Sequence, residues 1–197
     1  MTDSVDYKII TDWISDRTSV LDLGCGNGQL LTYLINKRHV HAQGIELNEH
    51  AIISCVKEGL SVFHQDIDTG LSEYFDNSFD FVIINQTLQQ VKKPDFVLRE
   101  ALRVGKKVVV GIPNFAYCKA RWSIFFRGRV PVTQSLPYQW YDSPNLHFLS
   151  LKDFLCYCKI KGITLEARFY RTDNHIVKFL PNLMAEWGYF LLSKPAV

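Results

Sequence analysis

No apolar stretch in this chain approaches the ~20 residues that a membrane-spanning helix needs, so no spanning segment is expected. Repeats and low-complexity tracts are absent, which removes solenoid and linker-like architectures. Net charge is scarce: 22 Lys and Arg stand against 20 Asp and Glu, a formal +2. That is too little to predict nucleic-acid binding from electrostatics. Cysteines are few and odd in number, at Cys25, Cys55, Cys118, Cys156 and Cys158. They do not make a secreted disulfide framework, and they fit a reducing cytoplasm. Cys156 and Cys158 have no second pair at zinc-site spacing, so no metal is expected. No Ser-His-Asp set or metal triad is visible. Asp3 and Asp6 precede any apolar run, unlike a secretory signal.

What is present reads as one domain over 1–197. The composition, 47% hydrophobic and 21% charged, is that of a globular chain large enough for a proper core. Val5, Ile9, Ile10, Trp13 and Ile14 give a leading amphipathic helix. Short apolar strands are expected at 20–23, 42–46, 61–64, 79–84 and 107–112. Helices at about 29–37, 52–59 and 94–102 alternate with them. The second should turn Ile52, Ile53 and Val56 inward and end at Gly59, and the third opens on Pro94. Leu71, Tyr74 and Phe75 suggest a further helical turn. This alternation implies a mostly parallel sheet covered by helices on both faces. A helix at 151–161 follows, then a strand with Ile163, Leu165, Ala167 and Phe169 on one face. A last strand is expected at 189–192.

Ligands in such sheets bind beyond the carboxyl ends of the strands. The first strand runs into Asp22-Leu23-Gly24-Cys25-Gly26-Asn27-Gly28. Glycines there let backbone N–H groups approach a ligand. The following helix offers unpaired donors to an anionic group. Glu46 ends the next strand roughly twenty residues on, where a carboxylate can accept from ribose hydroxyls. The site is therefore expected to hold a nucleoside cofactor. Gln29 stands where a dinucleotide fingerprint wants glycine. An acidic residue followed by Gly24, Gly26 and Gly28 instead resembles motif I of class I S-adenosylmethionine-dependent methyltransferases.

That resemblance implies a Rossmann-like fold closed by an antiparallel hairpin. It implies S-adenosylmethionine or S-adenosylhomocysteine as cofactor. Asp22 is expected to accept from the loop amides, and the methionine carboxylate to lie near Gly24 and Gly26. Cys25 and Gly28 complete the loop, with Cys25 read as a small packing residue. Leu47 follows Glu46 in the binding set. Asp66 matches the position that meets the adenine amino group, with Ile67 against the ring; the alternative is a turn cap. Asn85 and Gln86 fall where the family places residues beside the methyl group, or are ordinary loop polars. Asp142 and His147 are the candidates for a catalytic base, since both lie in a segment expected to cover the pocket. The alternative for His147 is a hydrogen bond within that cover.

The segment at about 114–150 is an aromatic-rich insertion. Its basic residues are interleaved with Tyr117, Trp122, Phe125 and Phe126 at roughly helical spacing. This reads as a lid or interface helix rather than a nucleic-acid or membrane surface. Trp122, Phe125, Tyr138, Trp140 and Tyr141 are the candidate lid or partner residues.

Later motifs narrow the resemblance. They are Asn85-Gln86-Thr87-Leu88-Gln89, Pro94-Asp95 with Leu98-Arg99-Glu100, Pro113-Asn114-Phe115, and Arg127-Gly128-Arg129-Val130-Pro131-Val132-Thr133. Leu136-Pro137-Tyr138-Gln139-Trp140-Tyr141-Asp142-Ser143-Pro144-Asn145-Leu146-His147 and Leu180-Pro181-Asn182-Leu183 belong with them. Over nearly the whole chain they resemble the MetW proteins of bacterial methionine biosynthesis. Asn27 departs from the aspartate of many members. The resemblance implies a role beside the homoserine O-acyltransferase, MetX, and supplies no methyl acceptor. Two readings follow from it. One is a cofactor-binding partner that supports or regulates MetX. The other is a methyltransferase acting on an unidentified small molecule.

Overall fold

The computed structural model describes residues 3–173 and 175–195. Among the described residues eight strands form one sheet: β1 (Ser19–Leu23), β2 (His41–Glu46), β3 (Ser61–His64), β4 (Phe79–Asn85), β5 (Gly105–Pro113), β6 (Thr164–Thr172), β7 (His175–Ile176) and β8 (Trp187–Ser193). Their order is β3-β2-β1-β4-β5-β8-β6-β7. The first five pair in parallel, and β8 enters antiparallel between β5 and β6. The chain therefore has the mostly parallel sheet with an antiparallel closing strand that its alternation implies. All five cysteines are free. Among the described residues no helix is long and apolar enough to cross a membrane.

Helices cover both faces. On one side α1 (Asp3–Trp13), with Ile14 just beyond it, and α2 (Gln29–Arg38) bury Ile9, Ile10, Ile14, Leu30 and Leu34 against β1, β4 and β8. On the other, α4 (Pro94–Val104) and α6 (Leu151–Ile160) bury Val97, Leu98, Ala101, Leu151 and Phe154 against the same sheet. Each of these side chains except Ala101 contributes about 1.5–3 kcal/mol on removal from water. Pro94 opens α4 as expected. Ser150 and Asp153 form a reciprocal capping box on α6.

Three local expectations fail. First, α3 (Glu49–Lys57) turns Ala51 and Cys55 inward and leaves Ile53 and Val56 exposed. Its small inward residues meet the glycine loop closely: a Cβ on Gly28 would lie 2.9 Å from Cys55 Sγ and 2.2 Å from Leu60 Cδ1. Second, the helical turn expected at Leu71, Tyr74 and Phe75 is limited to one bond, Tyr74 N–H to Leu71 O at 3.0 Å, and does not bury Phe75. Arg103 donates to the Leu71 and Tyr74 carbonyls at 2.9 Å each, fixing them in a turn. Phe75 is exposed, and a single 3-10 turn lies earlier, at Ile67–Thr69. Third, a β-bulge between Leu165 and Ala167 switches the faces of β6. Ile163 and Leu165 pack with the α4/α6 core, whereas Ala167 and Phe169 pack with the α1/α2 core.

Candidate functional site

The carboxyl ends of β1, β2 and β4, with the turn after β3, enclose a cleft of about 380 Å³. This lies within the range of small-molecule sites, about 300–1,000 Å³. Of the residues singled out in the sequence, Gly24, Gly26, Glu46 and Leu47 line it on one side. Asp66, Ile67, Asn85 and Gln86 also line it. Asp22, Cys25 and Gly28 do not: Asp22 and Cys25 are buried, and Gly28 backs onto Cys55 and Leu60. Gln65, Asp68, Thr87, Gln90 and Val91 line it as well. Their sequence signal is only that they follow the ends of β3 and β4.

The loop from Gly24 to Gly28 takes positive φ at each glycine. Gly26 matters most, because a Cβ there would meet nothing within 4 Å. The cleft therefore reaches the bare backbone at that point. Glu46, not Asp22, is the carboxylate that holds the loop. Its Oε2 accepts from the Gly26 N–H at 2.8 Å. Its Oε1 accepts from Leu47 and Asn48 N–H at 2.8 and 2.9 Å. Two carboxylate oxygens offer about four acceptor sites, so one remains at Oε2 for a ligand hydroxyl.

Asp22 is buried, and its Oδ1 has no hydrogen-bond partner. Burial, reinforced by the nearby Glu46 charge, pushes its carboxyl up to about 7 from an ordinary 3.8. Between about pH 4 and pH 7 the folded protein then binds more protons at Asp22 than the unfolded chain. Stability contributed at this site falls as pH rises through that window and levels off above it. We expect Asp22→Asn to flatten this decline, measured as urea-unfolding free energy at pH 4.5, 6 and 8. An unchanged pH slope would show that Asp22 ionises as freely when folded.

Asp66 Oδ1 accepts from the Asp68 N–H at 2.9 Å, so the residue does cap a turn, while still lining the cleft. Asp68 accepts from Lys92 and Lys93 N–H at 2.9 and 2.8 Å, tying the turn after β3 to the loop after β4. Gln86 is held at φ 58, an uncommon conformation for a residue other than glycine. Side-chain amides of Gln89 and Gln90 donate to its carbonyl at 2.8 and 3.1 Å. Asn85 Oδ1 and Gln86 Nε2 are buried without partners. Backbone held in this way beside unpaired polar atoms is typical of binding sites.

The aromatic insertion does not cover this cleft. None of the residues lining the cleft comes from 114–150. The reason is topological: β5 lies beyond β4 from the cleft, and the chain leaving β5 turns toward β8, with Asn114 N–H bonded to Glu186 O at 2.7 Å. Asp142 is exposed, and His147 lines a different cavity, so neither is placed to act as a base in the cleft. Within the insertion, α5 (Cys118–Arg127) buries Ala120 and leaves Trp122 and Phe125 57% and 80% exposed. Tyr138, Trp140 and Tyr141 are exposed too. Trp122 packs on Phe126 with ring centroids 4.0 Å apart.

The fold is shared with solved methyltransferases. The chain superposes on a SAM-dependent methyltransferase, possible histamine N-methyltransferase, from Thermotoga maritima with TM-score 0.68 and 16% identity, covering 97% of this chain and 88% of that one. A SAM-dependent methyltransferase from Archaeoglobus fulgidus gives TM-score 0.69 at 14% identity over 96% and 91%. At these identities the likeness establishes the fold. In sequence, the chain is 34% identical over 162 residues to the "Bifunctional methionine biosynthesis protein MetXA/MetW" of Rhodopirellula baltica. That match covers 78% of this chain but only 26% of the relative. The profile of the family described as methionine biosynthesis protein MetW matches residues 4–192. This chain, with a methyltransferase fold and a glycine-loop cleft at its strand ends, therefore belongs to the MetW family of methionine biosynthesis proteins.

Proposed function

We propose that the protein binds S-adenosylmethionine or S-adenosylhomocysteine in the glycine-loop cleft and acts as a partner of homoserine O-acyltransferase (MetX). In this reading 1–197 is one methyltransferase-like domain in the cytoplasm, and 114–150 carries the docking surface. The residues present fit the cofactor. The bare backbone at Gly26 leaves room for the methionine end of the cofactor, the spare acceptor site on Glu46 suits a ribose hydroxyl, and Asp66 with Ile67 suits an adenine. Asp22, Cys25 and Gly28 would support the cleft without lining it. In its sulfonium form the cofactor would supply an electrophilic methyl group.

The observation that carries the partner reading is the separation of the two surfaces. Trp122, Phe125, Trp140 and Tyr141 stand exposed and clear of the cleft. Exposed clusters of Trp, Tyr and Phe are typical interface anchors. The Rhodopirellula relative, whose name joins MetXA and MetW, supports the choice of partner. A cofactor bound in the cleft would then regulate the partner wherever it binds two states of the complex differently. The second reading, a methyltransferase on a small molecule, is favoured by the unpaired Asn85 and Gln86 atoms.

The test is an assay of the cognate acyltransferase alone and with this protein, without and with S-adenosylmethionine. Activity is expected to rise on addition. Trp122→Ala or Trp140→Ala should remove the rise and leave cofactor affinity unchanged. Absence of any rise would overturn the partner reading and leave the methyltransferase reading, to be pursued with labelled cofactor and a metabolite extract.

A further inference from the structure

No residue of the aromatic insertion lines the glycine-loop cleft, yet a seam of hydrogen bonds joins the two. It starts at Gln86, which lines the cleft at φ 58. A residue other than glycine stays in that conformation only where its surroundings hold it. Here the side-chain amides of Gln89 and Gln90 hold it, both donating to the Gln86 carbonyl. Gln89, itself buried, carries the seam onward. Its own carbonyl accepts from Leu146 and His147 N–H, at 2.9 and 3.0 Å, where the insertion returns to the body of the fold. Asn145 and Phe148 flank that tie and share a hollow with Tyr138 and Trp140. In a close-packed hollow, displacement of 145–148 is passed to those exposed rings.

The same strip is short of hydrogen-bond partners. Among the described residues eight buried side-chain polar atoms have none, and five of them lie here: Asn85 Oδ1, Gln86 Nε2, Gln89 Oε1, Asn145 Oδ1 and His147 Nε2. All five are closed off from solvent. Polar atoms buried and unpaired raise the energy of the arrangement that contains them. A strained backbone and five such atoms along one strip are the makings of an element with two arrangements of similar energy.

We propose that this seam couples the cleft to the docking surface, with Gln89 as the positioning residue. The inference rests on the reading above, in which the cleft binds S-adenosylmethionine or S-adenosylhomocysteine and the insertion docks a partner. A ligand seated against Gln86 and Thr87 holds Gln86 at φ 58. Gln89 then keeps its tie to Leu146 and His147, and Tyr138 and Trp140 are ordered for docking. With the cleft empty, Gln86 relaxes to an ordinary conformation, the tie loosens, and 145–148 move more freely. The coupling is therefore positive. Cofactor tightens the partner, and the partner tightens the cofactor by the same factor.

Amide hydrogen exchange on the full chain tests the coupling without any partner. Saturating S-adenosylhomocysteine is expected to slow exchange of the Leu146 and His147 amides about fivefold or more. Gln89→Met removes one donor to Gln86 and should abolish that slowing. Gln90→Met removes the other donor to the same carbonyl, lies outside the tie to the insertion, and should keep it. With the cognate acyltransferase added, S-adenosylhomocysteine should tighten the complex about tenfold in wild type and Gln90→Met, and not in Gln89→Met. If calorimetry shows the ligand bound while the two amides exchange unchanged in wild type, the coupling is overturned and the cofactor reading stands. That arm decides even if Gln89→Met fails to fold. Equal slowing in Gln89→Met would also overturn it. No binding of S-adenosylhomocysteine would overturn the cofactor reading and the coupling together. Slowed exchange without any complex would uphold the tie from cleft to insertion and overturn the choice of partner.

Discussion

Replacing Glu46 with alanine is expected to weaken binding of S-adenosylmethionine by about 100-fold or more, with the fold retained. One carboxylate holds the Gly26, Leu47 and Asn48 amides at 2.8–2.9 Å. It thereby stitches the loop after β1 to the loop after β2. Hydrogen bonds to a charged group contribute about 1.5–3 kcal/mol each, and a ligand hydroxyl at the remaining site adds one more. The freed amides lie at a cleft mouth where water can reach them, so most of the loss falls on affinity. Glu46→Gln keeps an acceptor and should lose only about tenfold. Isothermal titration of the three proteins decides the matter. Affinity within about threefold of wild type in Glu46→Ala would mean that the cofactor does not use this carboxylate.

The second large effect concerns stability. Arg171 on β6 is 1% exposed and pairs with Asp6 of α1. Its guanidinium lies 3.9 Å from the Trp187 ring centroid, and it donates to Asp173 O at 2.7 Å. Asp6→Ala removes the counter-charge and leaves a buried cation. The expected cost is about 3–5 kcal/mol, or a fall in Tm of about 10 °C for a chain of this size. A double variant, Asp6→Leu with Arg171→Met, should recover much of that loss, because buried pairs contribute little net stability against apolar replacements. Thermal unfolding of both variants checks this. A single variant within about 1 kcal/mol of wild type would show that Arg171 finds solvent or another acceptor when Asp6 is gone.

Asp6 also shows where sequence reading stops. In the sequence it is an acidic residue before an apolar helix face. Its partner lies 165 residues away, and no local pattern reports such a pairing. The same limit explains the exchange of roles between Asp22 and Glu46. Spacing places both near the glycine turn, but which carboxylate meets the amides depends on how β1 and β2 align, Asp22 beside Gly44 and Leu23 beside Ile45.

The alternation of strand and helix, the glycine turn after β1, Glu46 at the end of β2 and the motifs that mark the family are legible in the residues alone. These are local or periodic features, and backbone geometry and burial read them directly. The folded arrangement settles that α3 buries Ala51 and Cys55, that a bulge divides β6 between two cores, and that the aromatic insertion stands apart from the cleft. It also ties Gln89 to the end of that insertion. Each of these depends on close packing or strand order, which arise from contacts between segments far apart in the chain, and residue type and spacing do not encode them one element at a time.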